Sequence, residues 1–241
     1  MTYQPTAVSE IESRTDTLPN PSTALIADAC QRLNIGLRVA PPGVKSSGPG
    51  HRLIGRALPL RFSGSIEIFL EAFDRAEHGD VLVVDNKGRL DEACLSALIA
   101  HEAMSAGVAG AVLWGAHRDS EPLNQLDFAV FSYGTFSRGP QQVRQPHPDS
   151  LVSARVGTAV VTNDDVVIAD ADGVIFVAAS RLSQVLETAR LIAAIERDRT
   201  ARLRSGTSLR DQFDFSQFLA LRREDPTYTL RRHLRGVGAE I

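Results

Sequence analysis

Two short, continuously apolar runs constrain this chain most. VLVVD, Val81 to Asp85, reads as a strand buried on both faces, and AVLW, Ala111 to Trp114, reads as a second. Between them, DEACLSALIAHEAMSAG carries Leu95, Leu98, Ile99, Ala103 and Met104 at helical spacing up to Gly107. Strand, helix, strand in this order predicts a right-handed crossover in a parallel sheet. Open α/β sheets take their ligands at the carboxyl ends of such strands. In GAVLWGAHRDSEPL the second apolar run meets a glycine turn and then sets Arg118 beside Asp119, just past the strand end.

The flanking chain fits one α/β domain. PSTALIADACQRLNIG reads as a helix capped by Ser22 or Thr23 and closed by Gly36, APPGVKSSGPGH as a loop, RLIGRALPLRF as a strand, and SIEIFLEAFDRAEHGD as a helix closed by Gly79. From NQLDFAVFSYGTFSRGP onward the pattern turns β-rich, with TAVVT a strand and VVIADADGVIFV a hairpin through Asp172-Gly173. The clearest helix, SRLSQVLETARLIAAIERDRTARLRSG, is expected to be capped by Ser180 and ended by Gly206, with Leu182, Val185, Leu186, Ala189 and Ile192 as its apolar stripe. The expected division is a polar N-terminal segment (1–21), the α/β domain (22–205) and a helical C-terminal arm (206–241) that packs at a subunit interface.

Charge and motifs exclude several function classes. With 26 basic and 29 acidic residues the formal net charge is -3, so no global field points to nucleic acid or an anionic membrane. The basic residues of the tail, Arg222, Arg223, Arg231, Arg232, His233 and Arg235, are interleaved with Phe and Tyr and balanced by Asp211, Asp214, Glu224 and Asp225, which weakens an RNA-binding reading. No run is long enough to span a membrane and the polar N-terminus carries no targeting pattern, so a cytoplasmic setting is expected. Cys30 and Cys94 lie in helix-like apolar contexts and read as reduced core thiols. The six histidines show no metal spacing, although His117 could line a site beside Arg118, and Asp170, Asp172 and Gly173 lack the rest of a calcium loop. Walker, GxGxxG, GxSxG and CxxC patterns are missing.

Standing alone, Arg118-Asp119 would be an ordinary solvated pair. Its context suggests more. A helix N-terminus expected around Ser96 to Ile99 offers free backbone N–H groups to a small anion such as a carboxylate. Arg118 could grip the same anion with its planar fork, while Asp119 offers hard oxygens to a magnesium-like cation.

Taken in order, STALIADACQRL, GRAL, GDVLVVD, GVAGAVLWGAHRD and VVIADADGVIFV resemble the RraA-like family, which includes 4-hydroxy-4-methyl-2-oxoglutarate aldolases. SLRDQFDF and YTLRRHLR are similar to the tail of a longer-armed subgroup. The resemblance implies a swivelling β/β/α fold in homotrimers or homohexamers. It also implies a class II lyase in which Mg2+ or Mn2+ polarises the keto group of a 2-oxo acid during retro-aldol cleavage or oxaloacetate decarboxylation. Carried over by position, Asp119 would ligate the metal, Arg118 would hold substrate oxygens, and the region Ala97, Leu98 and Ile99 would bind the carboxylate through its amides. The family pattern has a glycine, twenty residues, Arg-Asp, two residues and an acid; here Ala97 and Pro122 occupy the outer positions, with Glu121 one place early. That departure bears on the aldol substrate more than on the metal. Two other readings stand beside the lyase: a non-catalytic regulator of a ribonuclease or other protein, and a metal enzyme recruited to a different reaction.

Overall fold

The Ser22 hydroxyl accepts from Leu25 N at 3.3 Å and caps helix α1 (Thr23–Arg32) in a computed structural model that describes residues 21–236. The polar segment 1–21 therefore lies outside the described residues except for Pro21, and so do residues 237–241 of the tail. Thr23 does not cap α1. Its amide and hydroxyl donate instead to the two oxygens of Asp170, at 2.8 and 2.6 Å. Nor does α1 run to Gly36, because Asn34 takes a left-handed conformation (φ 53°) just after the helix, which its short polar side chain tolerates.

Two short strands, β1 (Arg38–Val39) and β2 (Lys45–Ser46), precede the long strand β3 (Leu53–Arg61). Helix α2 (Glu67–Phe73) follows and is shorter than its sequence suggested. The amides of Arg75 and Ala76 reach back three residues, tightening and ending it well before Gly79. Strand β4 (Val81–Leu95) shows a second correction, since the helix expected from Asp91 does not begin there. After Asp85 the strand leaves its ladder and rejoins it, pairing Ala93 with Ala116 and Leu95 with His117, so Cys94 sits in a strand and not in a helix. Pairing with a neighbour overrides the local helical pattern.

Helix α3 (Ala97–Ser105) connects β4 to β5 (Gly110–His117), which extends through Gly115 without the turn expected there. The one-turn helix α4 (Ser120–Leu123), strand β6 (Ala129–Ser132) and the hairpin of β7 (Ser153–Val156) with β8 (Ala159–Thr162) come next. A second hairpin joins β9 (Asp165–Asp170) to β10 (Gly173–Ala178). Its turn is Ala171-Asp172, one place earlier than expected, because Gly173 pairs with Asp170.

The eight-stranded sheet has the order β1-β10-β9-β3-β4-β5-β6-β2. Its centre, β3 to β6, is parallel, and β4, α3 and β5 form the expected crossover. Alternation along β4 divides the core. Leu82 and Val84 join Phe69 of α2 and Ile99 of α3 on one face; Val81 and Val83 join Val156 and Val161 of the β7–β8 hairpin on the other. The result is β-hairpin, sheet and helices in three layers. Cys30 and Cys94 are free and buried, and burial pushes the Cys94 thiol up to about 12.

Helix α5 (Ala179–Arg204) begins one residue before Ser180, with the Ala179 amide donating to Asp164 O, so Ser180 is not its cap. All five residues of its expected stripe are buried, and Gly206, at φ 96°, follows its end. Two compact units divide within this helix, 1–189 and 190–241. The described part of the second is helical: α6 (Leu209–Gln212), α7 (Phe215–Glu224) and α8 (Leu230–Gly236). There the buried His233 bonds Phe213 O at 2.8 Å and its ring lies 5.7 Å from that of Phe218.

The Thr23–Asp170 contact predicts a pH-dependent stability. Burial works to raise the Asp170 carboxyl, but bonds from Thr23 Oγ1, Thr23 N and Asp172 N outweigh it, helped by the charge of Arg52, and hold it below the usual carboxylate range. A carboxylate depressed by folding stabilises above its unfolded value of about 3.9, and that stability is lost as pH falls through the folded value. Thr23→Val should cost about 2 kcal/mol at neutral pH. In urea titrations the gap from wild type should narrow below about pH 4; a gap independent of pH would mean that Thr23 acts through packing alone.

Candidate functional site

The ladder between β4 and β5 ends at Leu95 and His117, and the Arg118 amide then donates to Leu95 O at 2.9 Å. This bond fixes Arg118 beside the start of α3. Asp119 next takes a left-handed conformation (φ 63°, ψ 45°), which aspartate adopts more readily than most residues. The turn swings its carboxylate onto the first turn of α3, where Asp119 Oδ2 accepts from Ala97 N at 3.2 Å. Its backbone carbonyl accepts from Leu123 N and closes α4. The Arg118 Nε lies 4.0 Å from the same Oδ2, and both side chains are 42% exposed.

Five sequence-derived site residues thus lie at the carboxyl ends of β4 and β5, each in its own way. Ala97 is buried and its amide is taken by Asp119. Leu98 and Ile99 are the second and third residues of α3, so their amides have no helical acceptor. The Leu98 side chain is exposed, while that of Ile99 packs in the core between sheet and helices. Ser96 takes the N-cap position but makes no side-chain capping bond, so the Asp119 carboxylate does that work from across the crossover. Glu121 stands exposed on α4, followed by Pro122.

His117 does not line this site. It is buried, with Nδ1 2.8 Å from Ser132 Oγ, and its amide donates to Gly134 O. Burial lowers its imidazole below the ordinary value, a backbone bond at Gly134 opposing, so it is neutral at pH 7. Its role is to tie the chain leaving β6 against β5. That segment continues the wall: Phe136 N donates to His117 O at 2.8 Å, and Arg138 O accepts from Ala93 N at 2.7 Å. The Arg118 guanidinium lies against the next residue, Gly139. Sequence reasoning read SYGTFSRGP only as part of a β-rich region; its Gly-Pro punctuation marks a loop, but nothing in the pattern shows that the loop returns over Arg118.

Among the described residues no group of three or more His, Cys, Asp or Glu side chains is arranged to hold a metal ion. No described helix is long and apolar enough to cross a membrane. What this end of the sheet offers is a guanidinium, a partly exposed carboxylate and two amides without a helical acceptor, carried by the segments that follow β4 and β5.

The RraA-like family model, described as Aldolase/RraA, matches residues 23–176, a stretch that contains this whole site. The chain belongs to that family. A solved structure shares its architecture: an uncharacterised protein from Pseudomonas syringae pv. tomato superimposes with a TM-score of 0.71 at 25% identity, over 86% of this chain and 98% of the other. Among curated relatives, DlpA of Legionella pneumophila is 28% identical over 80% of this RraA-like chain, which spans only 33% of DlpA. A Halalkalibacterium halodurans protein named "Putative 4-hydroxy-4-methyl-2-oxoglutarate aldolase" is 28% identical over 70% of this chain and 78% of its own length. The α/β fold expected from the sequence is therefore the RraA-like one.

Proposed function

We propose that this RraA-like protein is a divalent-metal-dependent lyase that cleaves a carbon–carbon bond of a 2-oxo acid, by retro-aldol cleavage of a 4-hydroxy-2-oxo acid or by decarboxylation of oxaloacetate. One observation carries the reading: the left-handed turn at Asp119 brings its carboxylate to the N-terminus of α3 beside the Arg118 guanidinium. The aldolase name of the H. halodurans relative points the same way.

The donors present fit a hydrated magnesium or manganese ion. Asp119 uses Oδ2 for the Ala97 amide, and its other oxygen is a single hard donor. Magnesium commonly binds through one or two carboxylates and keeps several waters. When bound, such an ion supplies Lewis acidity, withdrawing electron density from a keto oxygen. The remaining work belongs to the chain. The amides of Leu98 and Ile99, at the positive end of α3, bind the substrate carboxylate. The planar fork of Arg118 holds the keto oxygen and stabilises the negative charge that grows there as the carbon–carbon bond breaks. The Ala97–Asp119 bond orients the carboxylate and keeps it from collapsing onto Arg118.

A coupled pyruvate assay across oxaloacetate and 4-hydroxy-2-oxo acids tests this function. Pyruvate should appear with magnesium or manganese and stop when a chelator is added. Chelator-insensitive turnover, or none on any of these acids with metal present, would overturn it.

A further inference from the structure

We propose that Gly139 is a positioning residue: by lacking a side chain it lets the Arg118 guanidinium come close against the chain and so aims it at the reaction centre. The proposal rests on the lyase reading for its effect on turnover, but its geometry stands independently. A Cβ at position 139 would lie 2.8 Å from Arg118 Nη1, 3.5 Å from Cζ and 3.9 Å from Nη2. The guanidinium therefore packs against the backbone at a distance that any side chain forbids.

Backbone conformation does not account for this glycine, since Gly139 is not among the residues with positive φ. What the position requires is space. Little else restrains the guanidinium. Its ionic partner, Asp119, stands at 4.0 Å with both groups well exposed, a kind of pair that holds a long side chain weakly. Gly139, by contrast, belongs to an anchored segment. Arg138 O is bonded to Ala93 of β4, and Phe136 N is bonded to His117 of β5. If a methyl group is added, the segment stays and the flexible end of Arg118 moves. Such movement costs the fold almost nothing, yet a misplacement of about 1 Å at a reacting group can cost roughly 10²-fold in rate.

The test uses the full chain with magnesium, oxalate as a small dicarboxylate probe, and the variants Gly139→Ala, Arg118→Ala and the double. Gly139→Ala should keep the wild-type melting midpoint, lose about 10²-fold in kcat/KM, and bind oxalate about tenfold more weakly. In the Arg118→Ala background the same change should have no further effect, because the group it displaces is gone. Wild-type kinetics in Gly139→Ala, or an equal loss in both backgrounds, would overturn the proposal. If the wild type releases no pyruvate and binds no oxalate, the lyase reading fails while the geometry is still decided by NMR. The Arg118 Nε–Hε resonance should shift in Gly139→Ala, and an unmoved resonance refutes positioning by Gly139.

Discussion

Asp119→Asn is expected to fold like the wild type and to lose magnesium-dependent pyruvate release by on the order of 10³-fold. Apart from glycine, asparagine and aspartate tolerate a left-handed conformation best, so the turn at φ 63° survives. Its side-chain carbonyl can also keep accepting from Ala97 N, the bond made now at 3.2 Å. What the substitution removes is charge: a neutral amide holds magnesium more weakly than the carboxylate it replaces. Asp119→Ala should lose activity equally but also stability, about 1–2 kcal/mol, because alanine is strained in the left-handed region and the first turn of α3 loses its external cap. The two variants thus separate chemistry from architecture. Turnover in Asp119→Asn that stays near wild type and sensitive to chelator would show that the ion binds elsewhere, and the proposed lyase site would have to be abandoned.

The parts legible in the sequence were those where local pattern and tertiary demand agree. Val81 to Val84 and Ala111 to Leu113 are apolar without interruption because helices cover one face of the sheet and the β7–β8 hairpin the other. The apolar stripe of α5 announced itself for the same reason. Asp91 to Leu95 misled, since a helical pattern there is overruled by pairing of Ala93 and Leu95 with β5, a contact set by a neighbour more than twenty places along the chain. The ends of α1 and α2 were misplaced because Asn34 and a tightened last turn stopped the helices before the glycines did. At the candidate site the residue types and their order were readable, whereas the left-handed turn of Asp119, the inward burial of His117 and the return of Gly139 over Arg118 were not. Each depends on how distant segments meet after the sheet has formed.

Gly55→Ala should be the most damaging conservative change in the sheet, costing about 3 kcal/mol, although it adds a single methyl group to a strand. Gly55 lies in β3 opposite Val167 of β9. A Cβ there would land on the carbonyl oxygen of Gly79, with Val81 Cγ2 at 3.0 Å and Gly79 C at 3.3 Å. The obstacle is backbone, and that backbone cannot withdraw. Gly79 N is bonded to Gly107 O at 2.8 Å, and the next residue, Asp80, is gripped by Arg56 at 3.0 and 2.7 Å. Val81 behind it is fully buried. Relief therefore requires β3 to separate from the turn that feeds β4, in the middle of the mixed sheet. Gly36→Ala is the matched control: a Cβ there meets nothing within 4 Å, and its φ is not positive. It should be neutral or stabilising by up to about 1 kcal/mol, through the unfolded chain. Urea unfolding of the two variants reads the difference directly as a change in midpoint at constant slope. Equal midpoints would mean that the Gly79 turn yields to a methyl group, and that close backbone approach is not what fixes glycine at position 55.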